Sequence, residues 1–97
     1  MMAGRMVMGI QVIPQADDFY GVVDRAIEAI ASTGLRYEVC PMETVVEGDL
    51  DALLSAARAA HRACLGAGAR SVITHIKLAE RAGEADVDIS DIMRKYR

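Results

Sequence analysis

The sequence predicts an α+β fold of the ferredoxin-like type, in which a four-stranded antiparallel sheet carries two helices on one face. Two segments with helical periodicity each lie between strand-like segments, which gives the order βαββαβ. The connection between the two middle strands is only residues 41–43, so these strands run antiparallel. Right-handed crossovers then place both helices on the same face. The length of 97 residues fits a single domain, residues 1–97.

The first strand is predicted over residues 5–13, a run rich in Met, Val and Ile. It ends before Pro14, which has no N–H group to donate to a strand ladder. Alternate residues of this strand face opposite ways. One face is uniformly apolar, whereas the other carries Gly9 and Gln11, as expected where another group approaches closely.

The first helix is predicted over residues 16–34, with Asp17 as its N-cap and Gly34 as its stop. The alternating segment 35–40 predicts a half-buried strand, and segment 44–47 predicts the strand that returns beside it. The helix has apolar residues at i, i+3, i+4 and i+7, which predicts one buried stripe. Its members are Phe19, Val22, Val23, Ala26, Ile27 and Ile30.

The second half repeats this pattern, with a helix over residues 49–68 and a strand over residues 70–79. Asp49 is the candidate N-cap of this helix. A polar loop follows the strand, and the spacing of apolar residues predicts a short C-terminal helix over residues 88–96. The predicted buried stripe of the second helix comprises Leu50, Leu53, Leu54, Ala57, Ala60, His61, Cys64 and Leu65.

Composition and charge exclude several classes of protein. The net charge is −3, and the 11 Lys and Arg residues form no basic stripe, so we expect no nucleic-acid partner. No apolar run approaches the roughly 18 residues of a membrane span, and the N-terminus lacks the apolar core of a signal peptide. Cys40 and Cys64 match no zinc or redox spacing, which favours buried, reduced thiols. We therefore expect a cytoplasmic protein without a metal.

The second face of the sheet has no helix to cover it in this architecture. An exposed apolar face of that size usually marks an interface. We expect two subunits to pack there sheet on sheet, giving a homodimer or homotetramer, or a ligand to bind there, or both. The candidates for this open face are Ile13, Val46, Ile73, Gln11, His75 and Lys77.

Residues 34–81 resemble the central signature of the small thiamine-binding protein family, the MTH1187/YkoF-like or DUF77 group. The most specific part is the pattern PM-x-T-x-x-EG, which stands here as "PMETVVEG". The family pattern has glycine at the position of Glu43. The resemblance implies a ferredoxin-like subunit that forms dimers or tetramers and binds thiamine or its hydroxymethylpyrimidine portion without chemistry. The matching residues are Gly34, Leu35, Tyr37, Pro41, Met42, Thr44, Glu47, Gly48, Gly68, Arg70, Val72, Thr74, Ile76, Lys77 and Arg81.

Thr44 and Glu47 are the first candidates for ligand contacts. Thiamine has an aminopyrimidine whose amino group donates hydrogen bonds, and a thiazolium with a permanent positive charge. A carboxylate accepts from the first or offsets the second, and a threonine hydroxyl donates to a ring nitrogen. In the alternative interpretation, Thr44 is an ordinary strand residue and Glu47 is an exposed strand end that caps the second helix.

Gln11, His75 and Lys77 are further candidates, since they are polar groups on predicted strands. A buried amide needs hydrogen-bond partners, so Gln11 contacts either a ligand or a neighbouring subunit. His75 is interpreted as a hydrogen-bonding group of an interface or a ligand site. One strand histidine supplies too few ligands for a metal.

Three residues of the middle strands complete the candidate site. Tyr37 would stack on a flat heteroaromatic ligand if it faces the open side, and would belong to the core otherwise. Met42 would line the pocket as an adaptable side chain. Glu43 is either an exposed turn residue or part of the pocket mouth.

The sequence contains no nucleophile–base pair, phosphate loop or dinucleotide-binding motif. We therefore expect a non-catalytic protein that requires no cofactor and binds thiamine or a related pyrimidine at the sheet and subunit interface. One alternative is a regulatory module similar to ACT domains that senses another metabolite or an anion. The other is a small enzyme using His75 and Glu47 as acid and base.

Overall fold

The computed structural model describes residues 5–83, 89 and 90, and this part of the chain forms the predicted ferredoxin-like α+β fold. All strand pairs are antiparallel, and the sheet order is β2-β3-β1-β4. Both helices pack on one face of this sheet. Their buried residues form one core with Met6, Met8 and Ile10, which lie on the same face of β1. The elements are β1 (Met6–Gln15), α1 (Phe19–Ala31), β2 (Tyr37–Val39), β3 (Thr44–Gly48), α2 (Leu50–Gly66) and β4 (Ser71–Ala79).

The first strand is longer than predicted and passes through Pro14 to Gln15. The ladder with β3 ends where Ile10 lies opposite Thr44, so the rest of β1 pairs with β4 alone. Pro14 is therefore at a position where β1 has only one neighbouring strand, which tolerates a residue without an N–H group. The extension of β1 beyond β3 shapes the pocket described below.

The first helix begins one residue later than predicted. Asp18 rather than Asp17 is its N-cap, because the Asp18 carboxylate accepts the Gly21 N–H at 3.1 Å. Asp17 instead pairs with Arg70 at 3.1 Å. The last turn closes at Gly34, whose φ of 78° lies in the left-handed region that glycine adopts without strain.

The second helix has the predicted N-cap and a narrower buried stripe than predicted. Asp49 accepts the Ala52 N–H at 2.8 Å. Leu50, Leu54 and Leu65 are exposed, and the packed face consists mainly of small residues. The buried residues of this helix are Leu53, Ala56, Ala57, Ala60 and Cys64.

The main core lies between the helices and the sheet. Its sheet side is built from Met6, Met8 and Ile10, with Val46 beside them on β3. The prediction that Val46 belongs to the open face is wrong, because the register sets it opposite Met8. Val45, which precedes Val46, lies on the open face instead and forms a small second cluster that includes Val7 and Ile89.

Both cysteines are free, as predicted, and Cys64 is fully buried in the main core. Burial raises the pKa of the Cys64 thiol, which keeps it protonated and inert. Cys40 is half-buried on the connection between β2 and β3. Within the described residues, no helix is both long enough and apolar enough to span a membrane.

The predicted C-terminal helix, residues 88–96, lies outside the described residues except for two positions. Ile89 and Ser90 are helical, and Ile89 is completely buried. It packs against Val7 and Val45 on the open face. Part of this face is therefore covered by the chain itself.

We predict that Asp18→Ala lowers the free energy of unfolding by about 1 kcal/mol, because it removes the N-cap of α1. Asp17→Ala is the matched control. It removes only an exposed ion pair with Arg70, so we expect a change below about 0.5 kcal/mol. Urea denaturation measures the free energy of unfolding of both variants, and their m-values should equal that of the wild type. Equal losses for the two variants would contradict the assignment of Asp18 as the cap.

Candidate functional site

The eight candidate residues do not form one cluster. Gln11, Met42, Glu43 and Thr44 are among the residues that line one pocket, whose wall also includes residues of α1 on the helix side of the sheet. His75 and Lys77 belong to the open face through their pairing with β1. The two remaining candidates, Tyr37 and Glu47, lie away from this pocket.

The pocket, here named the notch pocket, lies between α1, the free edge of β1 and residues 40–44, and has a volume of about 320 Å³. It exists because β1 continues past the start of β3, so Gln11 and Val12 have no β3 residue beside them. A volume near 300 Å³ is at the lower end of the range for small-molecule sites. The notch pocket thus has room for one small ligand.

The wall of the notch pocket is mostly apolar. The helix contributes Phe19, Val23 and Ile27, and the sheet contributes Ile10 and Val12. Apolar walls with a few convergent polar groups are the usual composition of a small-molecule site. The polar groups at this pocket are Gln11, Tyr20, Asp24, Glu43 and Thr44.

Two aromatic residues at the start of α1 form one side of the pocket mouth. The rings of Phe19 and Tyr20 meet edge to face with centroids 5.3 Å apart, and Tyr20 is largely exposed. Helical periodicity predicts Phe19 in the buried stripe and does not distinguish Tyr20. The sequence does show that Tyr20 is an aromatic residue close to a helix N-cap. The pocket beside it exists only because β1 extends beyond the end of its ladder with β3, and no local pattern around Tyr20 predicts that extension.

Glu43 is not an exposed turn residue. Its side chain crosses to the open face and lies directly over Gly9, where a Cβ atom would overlap Glu43 Oε1. The other oxygen, Oε2, lies 3.2 Å from Lys77 Nζ. Glu43 is therefore held between the backbone of β1 and a side chain of β4.

The open face near Glu43 carries the other polar candidates. Gln11 and His75 lie opposite each other on β1 and β4, two residues along from the pair of Gly9 and Lys77. Side chains on alternate residues of a strand point the same way, so all of these groups share one face. The structure brings Gln11, Glu43, His75 and Lys77 to one region of the sheet.

Glu47 is far from the notch pocket and is 5% exposed. Its Oε2 accepts the Ile89 N–H at 3.0 Å. Its Oε1 lies 3.5 Å from Arg5 and 3.7 Å from Arg36. The alternative that Glu47 is an exposed strand end capping α2 is wrong, because the residue is buried and Asp49 caps the helix.

Arg36 extends this arrangement by donating to Ser90 Oγ at 3.0 Å. The carboxylate of Glu47 and the guanidinium of Arg36 therefore both contact the segment that contains Ile89. We name Glu47, Arg36, Ile89 and Ser90 the C-terminal clasp. The described contacts of Glu47 therefore hold the segment that contains Ile89 against the open face.

Tyr37 faces the helix side of the sheet, because it pairs with Val46 on β3. The predicted stacking on an open-face ligand required the opposite orientation. Tyr37 lies on an edge strand and keeps part of its ring exposed. Its position fits the core alternative better than a ligand contact on the open face.

The proposed acid–base pair is not assembled within one subunit. Glu47 lies beside Val7, whereas His75 lies beside Gln11. Four residues of β1 separate these positions, which is about 13 Å along a strand. The two side chains are therefore too far apart to share a reacting group in one chain.

These features define a small ferredoxin-like protein with a ligand-sized pocket at one end of its sheet. The chain belongs to the thiamine-binding protein family, which its residues 8–97 match. A UPF0045 protein of Clostridium perfringens is 38% identical over 92 residues, covering 93% of this chain and 95% of the relative.

Solved structures agree with this assignment. A domain of unknown function, DUF77, from Bacillus cereus has a TM-score of 0.91 and 46% identity, covering 99% of this chain and 93% of that one. A protein of Thermotoga maritima, named as a candidate thiamine biosynthesis or salvage protein, has a TM-score of 0.84 and 29% identity. The alignment covers 96% of this chain and 99% of the Thermotoga chain.

We predict that Glu47→Gln lowers the free energy of unfolding by about 1.5–3 kcal/mol, since a buried charged acceptor loses its charge. The control is Glu28→Gln, which makes the same chemical change in an exposed pair with Arg25. The control should cost at most about 0.5 kcal/mol. Urea unfolding measures both, and equal values would contradict a clasp centred on Glu47.

Proposed function

We propose that this protein binds thiamine or a hydroxymethylpyrimidine-type ligand in the notch pocket and performs no chemistry on it. The observation that carries the proposal is the pocket itself, a ligand-sized cavity with a mostly apolar wall and a few polar groups in its lining. Membership of the thiamine-binding protein family supports the choice of ligand. The name of the Thermotoga maritima relative supports a role connected with thiamine.

The chemistry of the pocket fits such a ligand. A flat pyrimidine would lie against the apolar wall, with Phe19 and Tyr20 at its edge. The Thr44 hydroxyl can donate to a ring nitrogen. Asp24, which also lines the pocket, supplies a carboxylate that can accept from the amino group or offset the thiazolium charge.

Calorimetric titration of the folded protein with thiamine and with hydroxymethylpyrimidine tests the proposal. We expect saturable heat with at least one of them. The absence of heat with both ligands on folded protein would refute the proposed ligand class. An anion-sensing alternative has less support, because Arg70 and Lys77 already pair with Asp17 and Glu43.

We predict that Thr44→Val weakens binding by about threefold to tenfold, because it removes one neutral hydrogen bond while keeping the shape of the side chain. Ser55→Ala is the control, since it removes a hydroxyl from the exposed surface of α2. The same titrations measure both variants. Unchanged affinity in Thr44→Val would place the ligand elsewhere.

We also propose that the uncovered part of the open face joins two copies of this chain in the cytoplasm. Ile13 and Ile73 lie opposite each other there, and Ile73 is 60% exposed. Ile89 covers Val7 and Val45 at the other end of the face but does not reach this apolar pair. Two such faces would bury their isoleucines against each other by sheet-on-sheet packing.

We predict that Ile73→Arg lowers the solution mass to that of a monomer, because a charge would be buried in the interface. Leu54→Arg is the matched control, since Leu54 is an exposed leucine on the helix side. Light scattering on a sizing column gives both masses. An Ile73→Arg variant of unchanged mass would contradict an interface at this position.

A further inference from the structure

The two edges of the sheet differ in length. The β2 edge has three residues, whereas the β4 edge has nine, Ser71–Ala79. Within the described residues, β4 pairs with β1 alone, and its register with β1 runs without a bulge. Every second residue of such a strand directs its N–H and C=O groups away from the sheet. A long edge of this kind is a template for the addition of another strand.

The edge of β4 lacks the usual protection against such pairing. Proteins protect a long edge with a proline, a bulge or an outward charge. This strand contains no proline, and Lys77 is its one residue that is charged at pH 7. The Lys77 ammonium group lies 3.2 Å from Glu43 Oε2, and Glu43 lies over Gly9 on β1. Because Gly9 is the β1 neighbour of Lys77, the lysine side chain leans over the sheet and leaves the edge without a charge.

The helix-side face of β4 is incompletely covered as well. Ile76 and Leu78 lie opposite Ile10 and Met8 of the main core, yet they are 41% and 43% exposed. Their β1 neighbours are both buried. The apolar surface thus continues from the core to the free edge of the sheet. A strand added beside β4 would cover this surface with its own side chains.

We propose that β4 pairs antiparallel with β4 of a second copy of this chain, which joins the two four-stranded sheets edge to edge. A two-fold axis through the middle residue, His75, pairs all nine residues of each strand. Such pairing forms about eight to ten backbone hydrogen bonds between the copies. The contact uses the edge of the sheet, so it is separate from the open-face contact proposed above and does not depend on it.

The charges at the two ends of β4 favour this register and a second copy as the partner. Arg70 precedes the strand and Glu80 follows it, so each Arg70 lies opposite Glu80 of the partner subunit. A shift of the axis by one residue in either direction would leave two residues of each strand unpaired and would separate these charges. The Arg70 guanidinium has five donors, so it can hold Asp17 of its own chain at 3.1 Å together with a second carboxylate.

Light scattering on a sizing column tests the contact in the full chain. Ile76→Lys places a charge between the paired strands on the helix side and should halve the solution mass, whether or not the open faces also associate. Val39→Lys is the matched control, since Val39 is 52% exposed on the helix side of the other edge strand, and its mass should not change. Ile73 lies opposite Lys77 of the partner subunit in this register, so Ile73→Arg would weaken this contact too. A folded Ile76→Lys variant of unchanged mass would overturn the proposal.

A pair of cysteines tests the register without adding a charge. Val72 lies opposite Leu78 of the partner subunit, at a Cα separation of about 4.5–5.5 Å that a disulfide can span. In a Cys40→Ser background, Val72→Cys combined with Leu78→Cys should give a covalent dimer on oxidation with diamide. Each single variant should stay uncrosslinked, because its cysteine and the same cysteine of the second copy are about 20 Å apart. A combined variant that gives no covalent dimer would overturn the register.

The end charges allow a test by rescue, with sedimentation equilibrium as the measurement. Glu80→Arg sets two arginines opposite each other at both ends of the paired strands, so the dissociation constant should rise about threefold to thirtyfold. Arg70→Glu combined with Glu80→Arg restores opposite charges and should return the constant to within about threefold of the wild type. Glu28→Arg makes the same charge change on the exposed part of α1 and should change the constant by less than about twofold. Equal weakening in the single and the combined variant would mean that these charges do not face each other, and would overturn the proposed pairing.

Discussion

The β1–β3 ladder ends at the Ile10–Thr44 pair, while β1 continues along β4 to Gln15. This mismatch in length leaves a notch beside the overhanging half of β1. The first helix covers the notch on one side, and residues 40–44 fold around its end. The notch pocket and the crossing of Glu43 to the open face are consequences of this one register.

The same register divides the open face into two parts. One part packs against Ile89, and no described residue covers the other. The part beside β3 carries Val7, Val45 and the buried carboxylate of Glu47, which together hold Ile89. A buried carboxylate requires hydrogen bonds and opposite charge, and the C-terminal clasp supplies both. The part beside β4 carries Ile13, Ile73 and the polar residues near Glu43, and no described residue of the chain covers this apolar pair.

Much of the fold follows directly from the sequence. Helical periodicity, the short connection at residues 41–43 and the acidic N-caps define the element order, and only the cap of α1 is displaced by one residue. The adjacent acids Asp17 and Asp18 both satisfy the capping preference, so composition could not choose between them.

It was harder to predict which side chains of β3 face the helices, because side chains on both faces of this strand are buried. Thr44, Val45 and Val46 are all compatible with burial, and all three are buried, because Ile89 covers one side and the helices cover the other. Alternation identifies a face only when one face is polar. Glu47 misleads as well, since its charge suggests exposure until the contact with Ile89 is known.

The notch pocket was only partly predictable. Gln11, Met42, Glu43 and Thr44 were chosen for their residue types and the family signature, and all four line the pocket. Phe19 and Tyr20 were missed because their contribution depends on where β3 stops relative to β1. That stopping point is a tertiary feature, which no local pattern in residues 19 or 20 encodes.

Glu43 belongs to the connection between β2 and β3, and its side chain does not disturb that connection. The Cys40 N–H donates to the Glu43 carbonyl at 2.8 Å. The side chain leaves the turn and uses space that exists because residue 9 is glycine. Glu43 therefore places a charge on the open face beside Lys77, while the backbone of the connection keeps its hydrogen bond. The backbone of residues 40–43 and the carboxylate of Glu43 thus act on different faces of the sheet.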